Sequence, residues 1–466
     1  MRLAASASVL VTAALLLWPA FWNGWPLIFS DTADYLWVWT QPEWFRPIRP
    51  PAYGWLIGPL HKGVSLWPVV AAQALLTAWL MWLLARRVGL GPRAFLSVAT
   101  VVAALSGAPW FVSWVMADAL SAPMVLAAVL LALGGVSRLE AFGLWLVLLA
   151  SAAAHLTHLA ALAALFGALG LLRLCSGRPQ VRFVGLGAIL AALVLAPAVN
   201  LAANRLAHGE ARLAFGSSVF LGARLVGDGL MQRWLDAHCP LAADPIGRVT
   251  LCDDREALVA DSDHFLWNPS SPVWRDTNFF RLEAELSALN PKVIAEFWPE
   301  FVANGLARAA RQLVTARVGT DLSLRVNEDQ ALLARLVIPR FAETLGERAA
   351  AALAEARQTN EEIARCLPAV VAGPVSLAAA FALCLLLLLA PSARASPVAA
   401  LAFGGFAAAL GNALAVGLGG AVHDRYAARL MWLAPFALAL LVAAALSRRS
   451  RPLRGDDPPR PLAPGP

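Results

Sequence analysis

Lysine is almost missing from this chain, and charge of any kind is scarce. Only Lys62 and Lys292 occur in 466 residues, and charged residues make up 14% of the total. Ordinary soluble domains carry about 25% charged residues. With 59% hydrophobic residues, the composition excludes that class and predicts a polytopic membrane protein. The formal net charge of +7 is carried by arginine. Its placement in short loops is what matters, because basic residues there set membrane orientation. A nucleic-acid partner is not indicated.

Cysteine is also sparse, at five residues. Cys175 and Cys384 lie in or beside apolar segments, Cys239 and Cys252 share one polar region, and Cys366 closes it. If that region is extracytoplasmic, a Cys239–Cys252 disulfide is expected, since oxidising compartments permit it; the other reading is free, partly buried thiols. The sequence lacks an internal repeat, a Walker sequence, a GxGxxG after a strand and a zinc-type ligand cluster.

What is present is a series of apolar runs long enough to cross a bilayer. They fall near residues 3–22, 66–85, 94–110, 118–136, 141–157, 159–174, 183–203, 369–390, 397–418 and 430–447, about ten in all. One long run has to be cut into two helices around His155. The first run has a second reading as a cleaved signal peptide, although no small-residue cleavage site precedes Trp18-Pro19.

Placing Arg2 inside and alternating sides puts Arg86, Arg87, Arg93, Arg138, Arg173, Arg178, Arg182, Arg394 and Arg448 on the cytoplasmic face. Both termini are then cytoplasmic, and the Pro-rich tail within residues 448–466 is expected to be disordered. The same alternation puts Asp31, Asp34, Glu43, Asp118 and Asp424 on the outer face, with Glu140 the exception. His155, His158 and His423 join them. Ionisable groups at membrane depth are costly, so several on one face mark a functional site.

The domain plan is an N-terminal transmembrane module (1–203), an extracytoplasmic, mostly helical insertion (204–367), C-terminal transmembrane helices (368–447) and the tail. Within the insertion, Asn290 and Pro291 predict a helix start. Apolar residues from Val293 to Val314 recur at helical spacing, which suits either the bilayer surface or packing on the insertion itself. A second helical stretch is expected over roughly 328–364.

The first outer loop, 23–65, carries the densest chemistry. Asp31 and Asp34 are three apart on a short helix starting near Ser30, so both carboxylates project to one side. One is then a general base and the other orients it or holds a cation. The bland reading makes Asp31 a helix cap. Arg46 and Arg49 follow in a proline-stiffened segment that ends at Tyr53, and a fixed guanidinium suits phosphate or a lipid headgroup. Asp118 stands at the mouth of an apolar helix, where it either takes part in chemistry or complements the helix dipole. His155 and His158 suit hydrogen bonding or phosphate contact better than a two-histidine metal site. His423, Asp424, Arg425 and Tyr426 precede the Pro435-bearing last span, with Arg429 one turn on. They read as a headgroup or phosphate site, or as an interfacial anchor.

At these residues the chain resembles the GT-C superfamily of integral-membrane glycosyltransferases, especially the protein O-mannosyltransferases and lipid A aminoarabinose transferases. Asp31 and Tyr35 match the family's acidic residue and following tyrosine; Arg49-Pro50-Pro51 matches its basic-Pro-Pro run. Asp118 and Arg425-Tyr426 are similar to its later acidic residue and its Arg-Tyr before the last helix. The likeness covers the first 130 residues well, the C-terminal span moderately, and residues 204–367 little. One departure is Thr32, where the family often has Glu directly after the first acid, which leaves open whether Asp31 or Asp34 is the base.

The resemblance implies a GT-C-like all-α fold in a bacterial inner membrane, with its site facing the periplasm. It implies inverting sugar transfer from a polyprenyl-phosphate donor to a lipid, glycan or protein acceptor. Asp31 would be the base, Asp34 or Asp118 its support, and Arg46, Arg49, Tyr53, His155, His158, His423, Arg425 and Tyr426 the donor-binding set. A divalent metal, Mg or Mn held by Asp31 and Asp34, is left open, because some members use one. The competing reading is a non-enzymatic lipid or solute transporter, which calls for pseudo-symmetric halves and helices broken at the midplane. A third treats the membrane part as the anchor of an assembly module.

Overall fold

The computed structural model describes residues 2–449 except 44, 176–180, 241–249, 276–278, 323–338, 360, 361, 364 and 395. The tail from residue 450, Arg178 and part of the 328–364 stretch lie outside the described residues. Among the described residues the chain is all-helical, and its single β-bridge joins Leu27 to Trp114. Six helices are long and apolar enough to cross a membrane: Trp67–Val88, Leu156–Cys175, Phe183–His208, Leu367–Leu389, Pro397–Gly419 and the pair spanning Asp424–Arg448. This is the architecture of a helical, multi-pass membrane protein.

The other apolar runs are also helical but shorter. Arg2–Leu16 is followed by a separate turn at Trp18–Asn23, Pro92–Leu105 stops at Ser106, and Arg138–Ala154 is 17 residues long. The run near 118–136 becomes a 3-10 turn followed by Ser121–Leu133, a helix buried at every position. A helix that is apolar all round belongs inside a bundle. Its neighbours approach closely at glycine, where a Cβ on Gly185 would stand 2.2 Å from the Leu131 carbonyl oxygen. His155 makes the cut in the long run. Its backbone is extended, and Nδ1 accepts the Thr157 N–H (3.2 Å), opening the next helix.

One end of the bundle gathers arginines. Arg86 pairs with Glu140 at 2.8 Å, and Glu140 in turn bonds the Ser137 N–H as the start of its own helix. The lone carboxylate on the arginine side therefore has a local role. Arg182 donates its backbone N–H to the Ala132 carbonyl, so residues far apart in sequence meet at this end.

The insertion is not one unit. Residues from Val219 to Val293 share their own core, built on Met231, Trp234, Phe265 and Leu286, and Cys239 is joined to Cys252 by a disulfide with Cα atoms 5.7 Å apart. Phe341, Leu345, Leu353 and Ile363 instead pack into the core of the membrane part. Gln358 ties this later segment down, donating to the carbonyls of Ile28 (2.6 Å) and Leu322 (2.9 Å). The expected helix start at Asn290 is corrected. Asn290 lies inside the Phe279–Glu296 helix, where its buried amide donates to the Ser218 carbonyl (2.8 Å), so it is not free to cap. The break comes at Phe297, with Pro299 in the first turn of Trp298–Val314.

Candidate functional site

The first loop is held in place before it presents any charge. Leu27 exchanges backbone hydrogen bonds with Ser113 and Val115, and Phe29 runs extended into the Ser30–Thr40 helix. The hydroxyl of Thr32 accepts the Phe29 N–H (2.9 Å) and donates to the Val115 carbonyl (2.9 Å). Thr32 thus starts this helix and fastens it to the bundle. That task leaves Asp31 free, and its expected alternative as a cap is corrected.

Asp31 and Asp34 do project to one side, and Arg49 fills the gap between them. Its two terminal nitrogens reach Asp31 Oδ1 and Asp34 Oδ2, each at 2.7 Å. The guanidinium also stacks over Phe220 (5.6 Å) and Trp267 (5.9 Å) of the insertion. Both described contacts of Asp31, from Arg49 and from the Ser30 hydroxyl (3.2 Å), fall on Oδ1. Burial pushes the Asp34 carboxyl up to about 6, more than Arg49 draws it down, and the Asp31 charge adds to the rise. Burial works against the charge on Arg49, but Asp31 and Asp34 outweigh it and raise its pKa.

This donor set fits a divalent cation poorly. Arg49 already takes one oxygen from each carboxylate, and no group of three metal-ligating side chains occurs among the described residues.

Asp31 and Arg49 line a cavity of about 410 Å³, with His155, Thr157, His423, Arg425 and Tyr426 on other walls. Arg425 is nine-tenths buried. Its guanidinium lies 4.3 Å from the Phe29 ring and 4.9 Å from the Tyr426 ring and donates to the Tyr426 hydroxyl (3.2 Å). Its Nε is buried with no partner, while its backbone N–H donates to Asp321 Oδ2 (2.9 Å). Arg49 is matched by two acids, whereas Arg425 keeps capacity for an anion. His423 sits 3.4 Å from Asp263 and 4.0 Å from Asp321. Burial disfavours its charged form, but Asp263 outweighs burial and raises its pKa.

Several residues singled out from sequence lie elsewhere. Asp118 is buried behind the wall and paired with Arg429 at 2.9 Å; Arg429 also donates to Asn412 Oδ1 (2.6 Å) and to the Thr157 hydroxyl. His158 spends both ring nitrogens, on the Ser121 hydroxyl (2.7 Å) and the Ser151 carbonyl (2.6 Å). Tyr53 is buried, donates to Gln73 (2.7 Å) and meets Tyr35 edge-on at 4.9 Å. Arg46 reaches outward to Glu210 at 3.3 Å. Asp424 accepts the Arg317 N–H (2.8 Å) and the Thr320 hydroxyl (2.9 Å), which holds the start of its helix. None of these six lines the cavity.

Other residues enter unannounced. Asp263, Trp267 and Asp321 come from the insertion, where no spacing marks them as neighbours of Asp31. One signal was available: the chain has only three tyrosines, and one of them, Tyr426, lines this cavity.

A second, apolar groove of about 1040 Å³ opens between helices, lined by Trp55, Leu56, Leu76, Leu146, Val199 and Leu206 among others. Ala150, Ser151 and Ala153 face this groove, while His155 and Thr157 face the cavity, so the helix break at His155 separates the two. Pro50 and Ala52 divide them on the opposite side. No protein-family model, curated protein or solved structure matches this chain.

Proposed function

We propose that the protein is a membrane glycosyltransferase that moves a sugar from a polyprenyl-phosphate donor to an acceptor hydroxyl in the 410 Å³ cavity. The observation that carries this reading is one cavity holding both a carboxylate, Asp31, and a buried arginine, Arg425, whose Nε has no partner. An apolar groove lies directly behind its wall. The cavity is within the range of about 300–1,000 Å³ usual for small-ligand sites.

In the proposed reaction the acceptor oxygen attacks the anomeric carbon of the sugar, and the bond from that carbon to the phosphate oxygen breaks. Asp31 takes the hydroxyl proton as general base. The polyprenyl phosphate leaves as an anion, stabilised by Arg425. Arg49 then serves to hold Asp31 and Asp34 rather than the phosphate, since two acids already claim it. The isoprenoid chain lies in the apolar groove. The Cys239–Cys252 disulfide supports an extracytoplasmic setting for the insertion and hence for the cavity it helps to line. A transporter would place its polar groups at a midplane interface between related halves. Here they gather where helices begin, near Ser30, Leu156 and Asp424.

The test is transfer in membranes supplied with radiolabelled polyprenyl-phosphate sugars. Asp31→Asn should lower transfer about 10²- to 10⁴-fold without loss of expression. Full activity in that variant, or no label movement from any such donor in the wild type, overturns the reading.

A further inference from the structure

The Trp298–Val314 helix carries its apolar residues on the outside. Trp298, Val302, Leu306 and Val314 are exposed, as are the alanines 303, 307 and 310 between them. At 100° per residue these positions fill one continuous half of the helix surface, and the charged Glu300 and Arg311 stand together at its edge. The opposite side is packed, by Phe301 against the insertion's core and by the small and polar Gly305, Ala309 and Gln312. Gly305 and Ala309 pack on Gly417, so closely that a Cβ on Gly417 would stand 2.3 Å from the Gly305 carbonyl oxygen. Gln312 bonds both the N–H (3.1 Å) and the carbonyl (2.8 Å) of His423.

Those contacts fix the depth of the helix. Gly417 is two residues from the end of one candidate span, Pro397–Gly419, and His423 immediately precedes the next, Asp424–Arg448. The connection between two consecutive spans lies at a bilayer boundary, and this helix is hydrogen-bonded to that connection. The span it packs on also has an apolar exterior, where Phe403, Phe406 and Leu410 are exposed.

We infer that Trp298–Val314 is an interfacial helix whose exposed half is seated in the lipid of the bilayer surface. The occupant is the membrane itself: an interfacial helix of this kind buries its apolar face at the boundary between headgroups and acyl chains. The seat joins the insertion to the membrane at a second place and does not depend on the proposed reaction.

The experiment uses the full chain in lipid nanodiscs, with Cys175, Cys366 and Cys384 replaced by Ala and the Cys239–Cys252 disulfide kept. A polarity-sensitive fluorophore is attached to Val302→Cys, Leu306→Cys or, as the water-facing control, Glu300→Cys. Lipids with a nitroxide high on the acyl chain should remove roughly half or more of the emission at 302 and 306, and much less at 300. A nitroxide deep in the bilayer should quench 302 and 306 less than the shallow one. Equal quenching at all three positions overturns the inference. So does cross-linking between two copies through 306 with no lipid quenching, which would make the face a protein interface.

Discussion

Arg49 and Arg429 each hold acidic side chains that stand out in the sequence, yet their surroundings differ. Arg49, with Asp31 and Asp34, forms part of a cavity wall and stacks on rings from the insertion. Arg429, with Asp118, is shut inside the bundle, and its neighbours Asn412 and Thr157 come from two further helices. An ion pair open to a cavity can exchange partners with a substrate. A dry pair cannot, because removing one member strands the other charge without water. Under the proposed reaction Asp31 is the acid for chemistry, whereas Asp118, through Arg429, holds helices in register.

The largest expected effect separates the two acids directly. Asp31→Asn should cut transfer by about 10²- to 10⁴-fold while thermal unfolding in detergent stays near wild type, because Arg49 keeps Asp34. Asp118→Asn should instead cost about 3–5 kcal/mol of stability, read as a lowered unfolding temperature and a reduced folded yield. If Asp118→Asn unfolds like the wild type but loses transfer, the division between the sites is wrong.

Next in size is the paired replacement Asp118→Leu with Arg429→Met. Removing both charges of a buried pair is often neutral, so the double variant should recover most of the stability lost in Asp118→Asn. A double variant that remains as unstable as the single one would show that Arg429 acts through Asn412 and Thr157 rather than through Asp118.

A smaller effect concerns pH. The folded Asp34 carboxyl titrates near 6, above its ordinary 3.8. A raised pKa means the folded state holds the proton more tightly. The stability it contributes is present below about 4 and lost as pH rises through 6. The ionised form, which completes the clamp on Arg49, gains the upper hand above 6. Transfer should therefore rise with pH through about 6 in the wild type, and that limb should vanish in Asp34→Asn. A limb that survives the substitution would move the titration to another group.

The smallest effect is at the rim. Arg46 and Glu210 are both well exposed, and pairs of that kind contribute about 0–1 kcal/mol. Arg46→Ala should leave stability within about 1 kcal/mol and transfer close to wild type. A large loss of transfer would return Arg46 to the donor-binding set.

Much of the site was legible one residue at a time. Spacing alone put Asp31 and Asp34 on one helix side, and proline-stiffened Arg49 was a strong partner for an anion. The Arg425-Tyr426 pair before the last span was equally visible. What spacing could not show was pairing. Arg49 satisfies the two carboxylates, whereas Arg425 faces the cavity with an unpartnered Nε; Asp118 is neutralised by a residue 311 positions away. The same limit explains Asn290, a good cap by type that burial turned into a helix-interior donor.

By itself the sequence determined a helical membrane protein, because long apolar runs with few charges have no other stable arrangement in lipid. It also determined where charge is crowded, since local spacing decides which side chains share a helix face. Only the tertiary structure decided which of those charges meet, which are buried and which face a cavity. Electrostatic character depends on partners and on access to water, and both are set by chain segments that the sequence keeps far apart.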